Sequence, residues 1–206
     1  SMLFDDYANN QLNAYYNGTV GKLNIDFNAD WLMQDENGHD IYDENSTESE
    51  DRTVNSYNNV SNRLGAGKLV LTYPILGGSL SAGSEYTYTY RKDVYLNSEN
   101  YLPSANSLIR EQNATAFAEY SHPLPFGAIG AGLRYEHVAF KYFVDKRIQL
   151  DQSRVYDNFF PNASLTALFG PVQAQLSYAV KTQRPSYHQL RNSVTYIDRY
   201  SLDKGN

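Results

Sequence analysis

The residues able to do chemistry fall into three sets. Arg134 and Glu136 stand two apart, with Glu119 and Glu85 upstream on other segments. An acidic run, Asp35, Glu36, Asp40, Asp43, Glu44, Glu48, Glu50 and Asp51, faces a single nearby base, Arg52. Ser186 lies beside His188, and Tyr187 and Tyr196 flank the same polar segment. Several carboxylates in one loop could capture a hard cation such as Ca²⁺, but the spacing is not that of an EF-hand, and such runs are usually solvated. Ser186 and His188 share one segment two residues apart, which is poor geometry for a nucleophile and its base. Cysteine is absent, which removes disulfides and thiolate metal sites. His39, His122, His137 and His188 show no i,i+4 pairing. The chain therefore reads as a non-enzyme with no cofactor and no metal site.

What must position these residues is a series of strands. Lys22 to Gln34 alternates Leu23, Ile25, Phe27, Ala29, Trp31 and Met33 with Lys22, Asn24, Asp26, Asn28, Asp30 and Gln34. That is the period of a strand with one apolar face. At about 3.3 Å per residue it spans roughly 40 Å, whereas a tilted strand needs only about ten residues to cross a bilayer. The same alternation predicts strands over Gln11–Thr19, Arg63–Tyr73, Ser79–Asn97, Ser107–Ser121, Gly127–Val144, and a hairpin from Phe160 to Lys181 turning at Gly170-Pro171. This makes an all-β, antiparallel up-and-down meander of about eight strands. Its connections alternate short and long, the long ones being Asp35–Ser56, Ser98–Asn106, Asp145–Asp157 and the polar segment from Arg184 to Asn206. Outer-membrane barrels sort their connections in this way, with short periplasmic turns and long outer loops.

Composition agrees. The 206 residues include 19 Tyr, a residue suited to strands and to membrane interfaces. The net charge of −6 argues against nucleic acid, which demands a basic surface. No apolar run approaches the roughly 18 residues of a membrane helix. In a barrel wall the apolar face meets lipid, the outer-membrane lipid being a partner of the chain. Trp31, Tyr73, Tyr120 and Tyr135 then become interface aromatics, while Arg134, Glu136, Glu119 and Glu85 face inward. The first two also read as a structural ion pair on a soluble sheet.

Three stretches carry a family resemblance. Arg184-Pro185-Ser186-Tyr187, with Leu190 and Tyr196-Ile197-Asp198, follows a strand ending in LSYAVKTQRPSY. Gly132-Leu133-Arg134-Tyr135-Glu136 and Phe160-Pro161-Asn162-Ala163-Ser164-Leu165 are the other two. Together they resemble the barrel domain of TonB-dependent outer-membrane receptors, of the outer membrane protein beta-barrel type. In that family the segment continues past a Gly-Asn pair, here Gly205-Asn206. The resemblance implies the bacterial outer membrane and energy-coupled import of a large nutrient, such as a metal chelate, a cobalamin or a glycan. It implies a plug domain inside a barrel of about 22 strands and an inner-membrane TonB motor as partners. Arg134 and Glu136 would then line the barrel against plug or substrate, and Tyr187 and Tyr196 would present rings to a ligand or pack their own loop.

Ser1-Met2 reads as the remnant of a cleaved tag, and residues 3–206 as a partial barrel domain without a plug. Such a sheet has two open, adhesive edges. The expectation is that it closes on itself as an eight-stranded barrel or pairs edge to edge with another copy. Two other readings stand beside import: a complete small outer-membrane barrel serving as anchor or adhesin, and a soluble β-barrel with its apolar face, including Trp31, inside around a ligand.

Overall fold

A computed structural model describes residues 2–45, 50–99, 104–182, 194–198 and 201–204. The strands are β1 (Met2–Val20), β2 (Leu23–Glu44), β3 (Arg52–Ile75), β4 (Gly78–Asn97), β5 (Ala105–Leu124) and β6 (Gly127–Val144). They continue with β7 (Arg147–Ile148), β8 (Arg154–Phe169), β9 (Val172–Ala179), β10 (Val194–Asp198) and β11 (Ser201–Lys204). All but the last two form one antiparallel meander in chain order, with β7 folding back on β6 as a short flap. The β10–β11 hairpin stands as a separate two-stranded sheet, within the segment read from the sequence only as a long polar connection.

The turns explain the order. Residue pairs at Gly21-Lys22, Leu76-Gly77, Pro125-Phe126 and Gly170-Pro171 close hairpins at one end of the sheet. Leu76 and Gly77 both take positive φ, 52° and 74°, the twist that a two-residue hairpin turn favours. For Leu76 that conformation costs about 1 kcal/mol. Two expected turns shrink accordingly: β3 runs on through Pro74 to Ile75, and β5 runs through His122 and Pro123 to Leu124.

The larger correction is at the other end. Asp35–Ser56, read as a long polar loop, is mostly strand: β2 and β3 stay paired from Asn24↔Thr72 to Glu44↔Arg52. The loop before β8 likewise ends at Ser153, so β8 begins six residues before Phe160. Asn, Asp and Gly disfavour strands, and DENGHDIYDE shows no clean alternation, yet its backbone groups are satisfied by the neighbouring ladder. β1 also starts well before Gln11, its first residues pairing with the extension of β2.

The sheet is open. Among the described residues β1 pairs only with β2, and β9 only with β8. The expected closure into an eight-stranded barrel is not what forms.

Register fixes the faces. One face, here the inner, carries the even residues of β2, β3, β6 and β8 and the odd residues of β4, β5 and β9. Every buried strand residue except Ala167 lies on it. The opposite, outer face is apolar over about eleven residues of each strand next to the turns, close to one tilted bilayer crossing. Leu23–Met33 on β2, Leu80–Tyr90 on β4 and Ile129–Tyr135 on β6 belong to this band, and Trp31 is 45% exposed in it. A soluble barrel with Trp31 inside is the opposite arrangement.

Beyond the band the faces exchange character. Asp35, Asn37 and His39 succeed Met33 on the outer face of β2, and Lys141 succeeds Tyr135 on that of β6. The inner face there holds two apolar clusters: Val54 and Tyr95 with Tyr42 and Ala105, and Ile109, Phe140 and Tyr142 with Val144.

Candidate lumen-lining site

The inner face at mid-band carries the candidate residues. One pairing row runs straight across six strands: Asn28, Lys68, Glu85, Thr115, Glu136, Asn158. Strict period 2 brings these side chains to one face, about 5 Å apart from strand to strand. Arg134 sits one step toward the turns on β6, between Phe117 of β5 and Phe160 of β8. Arg134 Nη2 lies 3.5 Å from Glu136 Oε2 and donates to Thr115 Oγ1 at 3.3 Å. Asn113 Nδ2 donates to Glu136 Oε2 at 3.3 Å, and Thr115 Oγ1 to Asn113 Oδ1 at 3.3 Å. Glu136 is 7% exposed. A carboxylate so buried requires partners, and Arg134 and Asn113 supply them.

The network opens on one side. Arg134, Glu136, Phe160, Val180, Lys181 and Thr182 line a recess of ≈ 410 Å³. It offers two cations, a carboxylate and an aromatic ring, a surface able to hydrogen-bond a polar ligand or another polar protein surface. Closer to the loop end, Arg91 and Asp93 repeat the device, two apart on β4 with Nη2 and Oδ2 3.5 Å apart, and Arg91 also donates to Asn62. Phe117 lies across the inner face against Gly83, where a Cβ would come within 2.6 Å of its ring.

A family model described as "Outer membrane protein beta-barrel family" matches residues 16–206. The chain belongs to the outer membrane protein beta-barrel family. No curated protein matches it significantly. As a family member the chain is a bacterial outer-membrane protein, and its apolar outer face is the side that meets lipid. The match reaches upstream into β1, well before the three motifs.

Four of the six candidate residues of this family member share the inner face, as alternation had predicted. Arg134 and Glu136 are joined. Glu85 stands across from Thr115 and next to Lys68 in the pairing row. Glu119 lies apart, opposite Gly132 and Ser81, and is exposed. Arg184, Pro185, Ser186 and Tyr187 fall outside the described residues, and of Tyr196 only its backbone place in β10, opposite Leu202, is described. Sequence reasoning missed Lys68, Arg91 and Asp93. Lys68 was hidden in a strand weakened by Gly65 and Gly67, though its parity with Val70 and Thr72 points inward.

The acidic run does not converge. Asp35 is on the outer face, where Arg63 grips it with Nη1 at 3.0 Å and Nη2 at 2.9 Å, and Ser61 Oγ donates at 2.7 Å. Those hydrogen bonds, with Arg63 first, hold its carboxyl below the ordinary range. Asp43 accepts from Thr53 Oγ1 on the same face, while Glu36 and Asp40 face inward. Pleating has divided what looked like one cluster. Near the band edge Asp157 accepts from Tyr135 OH at 2.6 Å and pairs with His137 Nδ1 at 2.8 Å.

Proposed function

We propose that this outer-membrane barrel chain is wall of a TonB-dependent receptor, importing a large nutrient such as a metal chelate, a cobalamin or a glycan. The observation that carries the reading is the inner face: a charged and amide-rich row of six strands, with Arg134 accessible beside a recess. A wall that only anchors a protein has no use for a hydrogen-bonding surface this wide, whereas a plug or passing ligand does. Two edges, unpaired among the described residues, support it. Backbone groups at an open edge cannot remain unsatisfied in lipid, so β1 and β9 call for neighbouring strands, as in a larger barrel. The motif over Arg184–Tyr187 adds the family resemblance. In this reading the chain works without catalysis, with plug domain and TonB motor as partners, and the edges otherwise pair with a second copy.

The test is uptake. Cells expressing the parent gene, and cells lacking it, are given labelled ferric chelates, cobalamin and oligosaccharides at limiting concentration, with and without a protonophore. Gene-dependent accumulation of one ligand, abolished by the protonophore, is expected. Gene-dependent accumulation that persists in the protonophore would remove the TonB motor from the account. Uptake of every ligand at equal rates in both strains would leave anchoring as the better reading.

A further inference from the structure

We propose that the outer face of β3–β6, at the loop-end edge of the apolar band, binds the phosphate of an anionic lipid headgroup. Arg63, Tyr90, Arg110 and Lys141 form one pairing row across these four strands. Lys92 lies one step further from the band on the same face, two residues past Tyr90. Lys92, Arg110 and Lys141 are all exposed. Arg110 and Lys141 are directly opposed, and like charges so placed destabilise a sheet. The acids of β4, β5 and β6, namely Glu85, Asp93, Glu111, Glu119 and Glu136, all face inward by parity and cannot relieve them. On this face Asp35 is engaged by Arg63, and Asp157 by Tyr135 and His137.

Arg110 is also held in place. Its guanidinium lies 5.9 Å from the Tyr90 ring centre and 5.4 Å from that of Phe143, within cation–π range. A guanidinium fixed between two rings keeps its fork of donors for a phosphate. Position selects the occupant. The row lies at the loop-end edge of the apolar band, level with Tyr90 and past Tyr86 and Tyr88 on the lipid-facing side. A phosphate bound there has acyl chains that continue down the band, which a free phosphate lacks. Cations beside an anionic surface each contribute about 1 kcal/mol.

The full-length product of the parent gene is folded into an equimolar mixture of phosphatidylglycerol and phosphatidylcholine, exchanged into non-ionic detergent, and its retained lipids are counted by native mass spectrometry. Wild type retains phosphatidylglycerol preferentially. R110Q/K141Q lowers that preference by about fivefold per cation, while R110K/K141R keeps most of it. Heat-modifiable gel mobility reports folding, and should the double variant fail to fold, R110Q and K141Q are compared singly. Equal preference in wild type and neutralised variants, or no preference in wild type, overturns the proposal. Displacement of the lipid by millimolar inorganic phosphate alone would mean a free-phosphate site and would also overturn it.

Discussion

Leu133 and Tyr142 lie on one strand, nine residues apart, and are governed by opposite solvents. Leu133 points outward and is 49% exposed; Tyr142 points inward and is 1% exposed. In the band the outer face is apolar because its solvent is hydrocarbon, and the inner face is polar because it is wet or meets another polar surface. Past the band the outer face meets water, so it carries Asp35, His39, Lys92 and Lys141, while apolar residues move inside. The ladder runs through unbroken while the faces exchange character. One half is thus a membrane wall, and the other behaves as the core of a soluble sheet.

This contrast can be broken experimentally. The largest effect is expected for Phe140→Ala, in the inner cluster with Ile109 and Tyr142. It should cost about 3–5 kcal/mol, as for a soluble core, measured by urea titration of the full-length product of the parent gene folded in lipid vesicles. Leu133→Ala should cost far less, since lipid fills the space. Equal losses would erase the distinction between the halves. Next comes Leu133→Arg, expected to cost about 2–4 kcal/mol at mid-bilayer, whereas Asn59→Arg on the outer face past the band should be nearly neutral in the same titration.

Glu136→Gln sharpens the view of the inner row. It removes the charge that faces Arg134 while keeping a hydrogen-bonding group, and should cost about 1–2 kcal/mol. If the row also contacts a plug or ligand, as in the proposed reading, ligand uptake in the cell assay falls by more than folding does. The smallest effect is acid sensitivity at the loop end. The folded carboxyls of Asp35 and Glu99 are held below their ordinary values by Arg63 and by Asn55 respectively. Their contribution is therefore complete above the unfolded pKa of about 4 and is lost as pH falls through the lowered folded value. Arg63→Ala should flatten the Asp35 part of that acid limb in a pH series. An unchanged limb would show that the pair adds nothing.

Within the band most of this was legible in the chain. Lipid outside and water inside impose a strict alternation, so Lys22–Gln34 announced its strand, its faces and its aromatic edge at Trp31, and the inward parity of Arg134, Glu136, Glu119 and Glu85 followed. β6 was read to its exact bounds because Gly127–Val144 alternates between two clear turn signals. Which inward residues meet was not legible. Parity assigns a face but not a register, so Thr115 beside Glu136, or Lys68 beside Glu85, emerges only when strands pair. Nor was the loop-end half. There both faces mix polar and apolar residues, β propensity is low, and the strand persists through ladder bonds to its neighbour, which no local pattern encodes. The acidic run made the point most plainly: of its carboxylates on β2, Asp35 and Asp43 are sorted by the pleat onto one side of the sheet, and Glu36 and Asp40 onto the other. The chain by itself determined membrane class, meander order and face. Tertiary pairing alone decided strand length, the open edges and the partners of each charge, because those depend on backbone groups and side chains supplied by other strands.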